Sequence, residues 1–177
     1  MSAPGVSFQL LDGRQVAARE EELTTLHAEV CESADGGRLA RRFGVWRRQP
    51  GFGLAGAWHG GYLVGYACGM PLRPSTSWWK GLTTPLPADV TAEHPGRTFA
   101  LTALAVRAPW RRQGIGWSLY DLVMSDRAEE RATLTVAPRN TAAQHAFRSW
   151  GWQKIARTRG QDPDTLVLDV LMITLRS

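Results

Sequence analysis

The chain has 177 residues, of which 44% are hydrophobic and 21% charged. That length and balance suit one globular domain (residues 1–177) able to bury a core without metal or disulfide help, and exclude a disordered, collagen-like or coiled-coil chain. The net charge is +5 with an isoelectric point near 9.9, carried almost wholly by arginine since lysine occurs only at 80 and 154; such a charge bears on solubility and anionic partners, not on fold.

No apolar run approaches the roughly 18 residues of a membrane helix, so no membrane partner is expected. The opening MSAPGVSFQLL has no basic stretch before an apolar one, as a secretory leader would. Cys31 and Cys68 form neither a disulfide framework nor a metal spacing. The expectation is a cytoplasmic protein with reduced thiols and no metal.

Gly5 to Leu11 reads as a short first strand. From Val16 to Val30, Leu23, Leu26 and Val30 recur at i, i+3, i+7 around acidic residues, the spacing of an amphipathic helix. Gly36-Gly37 breaks it, and Arg38 to Arg48 reads as a second, basic helix. Phe52 to Trp58, the turn His59-Gly60-Gly61 and Tyr62 to Met70 read as a β-hairpin. Pro71 to Arg97 carries five of the ten prolines and the pair Trp78-Trp79. It is long for a connection, a length often functional, with a turn of helix expected at Trp78 to Leu82.

Thr98 to Val106 is apolar on both faces, as a strand buried on both sides would be. Ile115 to about Arg127 has Ile115, Leu119, Leu122 and Val123 on one helical stripe. Ala132 to Ala137 reads as a strand. Asn140 is a suitable N-cap for a helix Thr141 to Trp150, which Gly151 ends. Trp152 to Thr158 and Leu166 to Leu175 are the final strands. The layout is mixed α/β around one sheet.

Chemistry concentrates between Leu104 and Leu119. A buried strand runs into a basic turn with two glycines, Arg111-Arg112-Gln113-Gly114-Ile115-Gly116, then directly into a helix. Glycines admit close approach of a ligand to backbone N–H groups. A helix N-terminus leaves donors unpaired and carries partial positive charge, which together suit phosphate or pyrophosphate. The lysine of the P-loop and the third glycine of the dinucleotide fingerprint are absent.

The pair of motifs Arg111-Arg-Gln-Gly114-Ile-Gly116 and Asn140-Thr-Ala-Ala143-Gln-His-Ala-Phe147, the latter followed by Gly151-Trp152, resembles the GNAT N-acetyltransferase superfamily. The resemblance implies an α/β (α+β) fold: a mixed, mostly antiparallel sheet of six to seven strands flanked by about four helices. Acetyl-CoA, or another acyl-CoA, would lie in a V between two splayed parallel strands, Thr98–Val106 and Ala132–Ala137. The strand residues Leu104, Ala105 and Val106 would meet the pantetheine arm. Arg111, Arg112, Gln113, Gly114, Ile115 and Gly116 would hold the pyrophosphate, with Trp117 and Ser118 nearby. Asn140, Ala143 and Phe147 would contribute from the second motif.

The reaction implied is attack of an amine, most readily that of a small molecule, on the thioester. The Val106 backbone N–H would stabilise the oxyanion. The family's tyrosine that protonates the thiolate is here Phe147, which cannot donate. The strand Thr98 to Val106 has no acidic residue, which leaves Glu93 and His94 as base candidates. Tyr66, Trp78 and Trp79 are expected to line the acceptor site, beside Tyr62 and Cys68 of the hairpin. Cys68 reads as an inert core thiol, and His27, His59 and His145 as surface residues.

Two alternatives stay open: an acyl-CoA-binding protein that has lost catalysis, and a scaffold reused for other acyl chemistry. Nucleic acid is not expected, because no basic stripe interleaved with aromatics accompanies the charge. A homodimer through the final strand or exposed tryptophans is compatible with the resemblance.

Overall fold

The computed structural model describes residues 3–31, 36–159 and 167–176. Among these are seven strands and six α-helices, with the strands ordered β1-β2-β3-β4-β5-β7-β6 in one sheet. Residue contacts divide the chain into two compact units, residues 1–70 with 101–127, and residues 71–100 with 128–177.

The first unit begins with β1 (Val6–Leu11), followed by α1 (Gly13–Ala18), α2 (Glu20–Cys31) and α3 (Gly36–Trp46). The single helix expected from Val16 to Val30 is thus two. Asp12 and Gln15 close a reciprocal capping box at the start of α1, and the chain leaves helical geometry at Arg19. The break expected at Gly36-Gly37 is not there: both glycines open α3, and residues 32–35 lie outside the described residues.

Strand β2 (Gly53–His59) pairs antiparallel with β1 on one side and with β3 (Tyr62–Pro71) on the other. Leu23 and Leu26 of α2, Phe43 of α3, and Leu54, Leu63 and Tyr66 of the hairpin form the buried core of this unit. The second half of β4 (Thr98–Val106) also belongs here, where the Arg107 N–H donates to the Val64 carbonyl at 2.8 Å. A 3-10 turn, Ala108–Trp110, and α5 (Ile115–Met124) complete the unit.

The second unit holds the long segment after β3. The turn of helix expected at Trp78 to Leu82 is not formed. That stretch is turns, and the helix of the segment is α4 (Ala88–Thr91). Pro87 stands at the N-cap of α4, where its missing N–H costs nothing. The start of β4 pairs in parallel with β5 (Arg131–Val136) at Thr98↔Arg131, Phe99↔Ala132 and Ala100↔Thr133.

Helix α6 (Thr141–Ser149) follows, capped by the Asn140 side chain, which accepts from the Ala143 N–H at 3.2 Å. Strands β6 (Gln153–Thr158) and β7 (Leu168–Thr174) pair with each other, and β7 with β5. Residues 81–83 lie along β6 through Thr83 N–H to Arg157 O and Arg159 N–H to Gly81 O, both 2.9 Å. The long segment thereby covers a sheet edge that would otherwise invite pairing. The expected strand start at Leu166 lies outside the described residues. No helix among the described residues is long and apolar enough to cross a membrane.

Gly13 is needed for close approach. A Cβ there would come within 2.2 Å of the Arg47 carbonyl oxygen, at the end of α3. Gly13→Ala is expected to lower stability by about 1–3 kcal/mol through backbone displacement, read by denaturant unfolding. An unchanged midpoint would mean that α1 and α3 are not held at this distance.

Candidate functional site

The turn from β4 into α5 is built from two left-handed residues. Arg112 has φ 63° and Gly114 φ 79°. Arg111, between the 3-10 turn and Arg112, is extended. A non-glycine residue in the left-handed region is uncommon and tends to occur at ligand clamps. Alternation of this kind turns successive N–H groups toward one side, the geometry of an anion-binding nest.

Gly114 is the N-cap of α5 and has no side chain to satisfy the helix's first donors. The first helical bond is from Ser118 N–H to Gly114 O at 3.0 Å. Side chains brace the turn: Arg111 Nε donates to the Val106 carbonyl at 2.9 Å and Gln113 Nε2 to that of Pro109 at 3.2 Å. Arg111, Arg112, Gln113 and Gly114 are exposed, Ile115 is buried, and Trp117 is exposed beside Tyr120.

Gly116 is informative by contrast with Gly114. A Cβ on it would meet only Val106 Cγ2, at 3.9 Å, and its φ is not left-handed. The fold has room for a side chain there, so packing among the described residues does not require the glycine. Leu104 and Val106 are half-buried and Ala105 is buried on β4 of the same unit.

Other expected acceptor residues of the first unit part company. Tyr66, expected to line a pocket, is instead wholly buried in the core. Its ring meets Phe43 edge-on at 5.8 Å, and its hydroxyl lies 2.7 Å from His27 Nδ1. A β3 residue whose neighbours across the strand are α2 and α3 cannot also face solvent.

His27, read from the sequence as a surface residue, is half-buried for the same reason. Burial, with the positive charge of Arg42, holds its pKa below the ordinary histidine value. Tyr62 is exposed and lines a cleft of about 630 Å³ with Arg19, Glu21, Glu22 and Arg107. Arg107 is buried beneath it, ion-paired to Glu29, bonded through Nε to Leu63 O at 2.8 Å and stacked 4.5 Å over the Tyr62 ring. Cys68 is buried against Thr102 Oγ1 at 3.4 Å, and burial pushes its pKa up to about 12.

In the second unit Glu93 is an anchor and is not free to act as a base. Its side chain is 1% exposed. Oε1 accepts from Trp79 Nε1, Thr98 Oγ1 and Arg131 Nη2, each at 2.9 Å, and Oε2 is buried with no partner among the described residues. Arg131 also donates to Thr98 Oγ1 at 2.8 Å and Val90 O at 2.6 Å, with its guanidinium over the Trp79 ring. Three donors on one buried oxygen leave no route for a substrate amine.

His94 is exposed, with Nδ1 3.0 Å from the carbonyl of Pro95 and Nε2 3.7 Å from Glu130. Trp78 is half-buried. Trp79, besides bonding Glu93, lines a cleft of about 420 Å³ with Pro74, Leu82, Pro85 and Leu86.

Asn140 spends its side-chain oxygen on the cap, and Ala143 follows one turn later. Phe147 is buried, edge-on to Trp150 at 5.4 Å and Trp152 at 5.8 Å. Among the described residues no three His, Cys, Asp or Glu side chains gather as metal ligands.

Sequence reading missed Arg131 and Asp169. Both are charged residues on apolar strands, which is the signal that marks a buried ion pair.

Residues 15–152 match the acetyltransferase (GNAT) family. The match covers well over half of the chain, and the chain belongs to that family. No curated protein matches it.

Among solved structures, the acetyltransferase of the GNAT family from Streptococcus pneumoniae is similar, with a TM-score of 0.62, 13% identity and coverage of 96% of this chain and 98% of that one. Arabidopsis thaliana Naa50 in complex with a bisubstrate analogue of CoA gives 0.64, 15%, 97% and 99%. The aminoglycoside N-acetyltransferase AAC(6')-Iy in complex with CoA gives 0.60, 13%, 82% and 86%. At these identities the likeness shows the fold alone.

Two outcomes follow. Glu93→Ala strands the Arg131 charge and is expected to cost about 3–5 kcal/mol of unfolding free energy; unfolding indistinguishable from wild type would contradict the anchor. Cys68 is expected to resist iodoacetamide at pH 8 in the native protein and to label on unfolding, read by peptide mass spectrometry. Native labelling at the rate of a free thiol would contradict its burial.

Proposed function

We propose that this protein is an acyl-CoA-dependent N-acyltransferase that transfers acetyl from acetyl-CoA to the amine of a small molecule. The observation that carries the reading is the Arg112–Gly116 turn: two left-handed residues, a helix start without a side-chain cap, and a glycine at 116 that internal packing does not require. Membership of the GNAT family supports it, as does the CoA bound in the Arabidopsis and aminoglycoside enzymes.

In this reading the backbone N–H groups of Arg112 to Gly116 hold the pyrophosphate. Arg111, whose Nε is spent on Val106, offers its remaining guanidinium nitrogens, and Arg112 its whole head. Leu104, Ala105, Val106, Trp117 and Ser118 are the neighbouring residues on the same unit. Acetyl-CoA, when bound, supplies a thioester that an amine can attack.

The chain's own contribution to proton transfer is small. Strand β4 has no carboxylate, Glu93 is spent in the anchor, and Phe147 has no proton to give. His94, exposed, is the remaining base candidate; where water carries a transfer instead, the cost is about 10²–10⁴-fold relative to a positioned side chain. The sparing use of cysteine fits a cytoplasmic site of action.

Phe147, held between two tryptophans, also favours a second reading: an acyl-CoA-binding protein without turnover.

Gly116→Glu is expected to leave the melting temperature unchanged and to weaken acetyl-CoA binding at least about tenfold, through loss of close approach and charge repulsion. Calorimetric titration reads this directly. Equal affinity in wild type and variant would remove the turn from the binding site. Release of CoA thiol with an amine separates the enzyme from the non-catalytic binder.

A further inference from the structure

We propose that the cleft between α6 and the β6–β7 pair binds a compact multivalent anion, a phosphate ester or a polycarboxylate, at a site separate from the Arg112–Gly116 turn. The cleft measures about 420 Å³, a size for a small molecule and not for a polymer. Its polar lining includes Gln144 and Arg148 of α6, beside Thr141 and His145, with Lys154 and Arg157 of β6 and Asp169 of β7.

Asp169 organises the site. Its side chain is 8% exposed. Oδ1 accepts from Lys154 Nζ at 3.0 Å and Arg157 Nε at 3.1 Å, and Oδ2 accepts from Gln144 Nε2 at 2.9 Å. One buried carboxylate therefore draws two cations to one wall.

Neither cation is consumed. Arg157 bonds Asp169 through Nε, which keeps its outer fork of nitrogens for another acceptor, and both side chains stay about half exposed. Arg148 approaches from the helix, exposed and, among the described residues, without an acidic partner.

Among the described residues, three cations stand against one carboxylate and leave two positive charges uncompensated in the cleft, which concentrates anions of matching size. Guanidinium forks prefer planar, bidentate partners, phosphate or carboxylate. A cluster serving only to hold β6 on β7 has no use for Arg148.

The site is distinct from the one assigned to acyl-CoA. Thr141, Gln144, His145 and Arg148 share one face of α6 at i, i+3, i+4, i+7. Asn140, Ala143 and Phe147 lie about 100° around the helix. The proposal does not depend on the acyl-CoA reading.

The test is calorimetric titration of the full chain, at fixed ionic strength, with inorganic pyrophosphate and then with citrate. Saturable binding of at least one is expected, reduced to a single site in Gly116→Glu if the probe also occupies the turn. It is expected to weaken at least about tenfold in Arg148→Glu, less in Arg148→Gln, and to persist in Gly116→Glu, at unchanged melting temperatures. Pyrophosphate alone points to a phosphate ester, and citrate alone to a polycarboxylate. Failure of wild type to bind either would overturn the proposal. So would binding that survives Arg148→Glu and disappears in Gly116→Glu, because the anion would then sit at the turn.

Discussion

Between Val106 and Ile115 the chain must leave a half-buried strand and begin a helix, and the geometry of that turn governs everything proposed for its chemistry. Arg112 and Gly114 take the left-handed region to make the turn. For arginine this conformation costs on the order of 1 kcal/mol or more, which the surrounding structure must offset. The bracing bonds from Arg111 to Val106 and from Gln113 to Pro109 do part of that. The consequence is that the first N–H groups of α5 stand at its positive end with no acceptor among the described residues.

A second constraint holds the long segment 71–97 in place. A segment with five prolines cannot tie itself down by regular backbone pairing, since proline lacks the N–H. Its attachment comes from side chains and from its far end. The Glu93 carboxylate receives Trp79, Thr98 and Arg131 together, and residues 81–83 add a short ladder on β6. The carboxylate that looked available for catalysis is therefore spent on architecture. With Phe147 held in an aromatic cluster, neither Glu93 nor Phe147 offers an acid or base, and His94 is the expected candidate that stays exposed.

Much of this was legible in the sequence, for identifiable reasons. Strand β4 was readable to its ends because nine apolar or small residues run unbroken between Arg97 and Arg107. The hairpin was readable because Gly60-Gly61 separates two apolar runs. The split between α1 and α2 was not, since periodicity continues across Arg19 and only the capping box at Asp12 betrays a separate helix start. Tyr66 misled because a tyrosine on a strand gives no sign of which face it occupies; α2 and α3 on that face decide it. Glu93 misled because its partner, Arg131, is 38 residues away. The motif turn itself was legible as residue types, but the left-handed Arg112 and the open space at Gly116 were not, because they are properties of backbone geometry.

The most direct measurement follows backbone amides of ¹⁵N-labelled protein through a titration with CoA. Progressive, saturable shifts centred on the amides of Arg112 to Ser118 are expected, because the N–H groups ahead of Ser118, which itself donates to Gly114 O, would gain an acceptor they lack among the described residues. Shifts confined to other residues, with the Arg112 to Ser118 amides unmoved at saturation, would contradict the assignment of this turn as the pyrophosphate site.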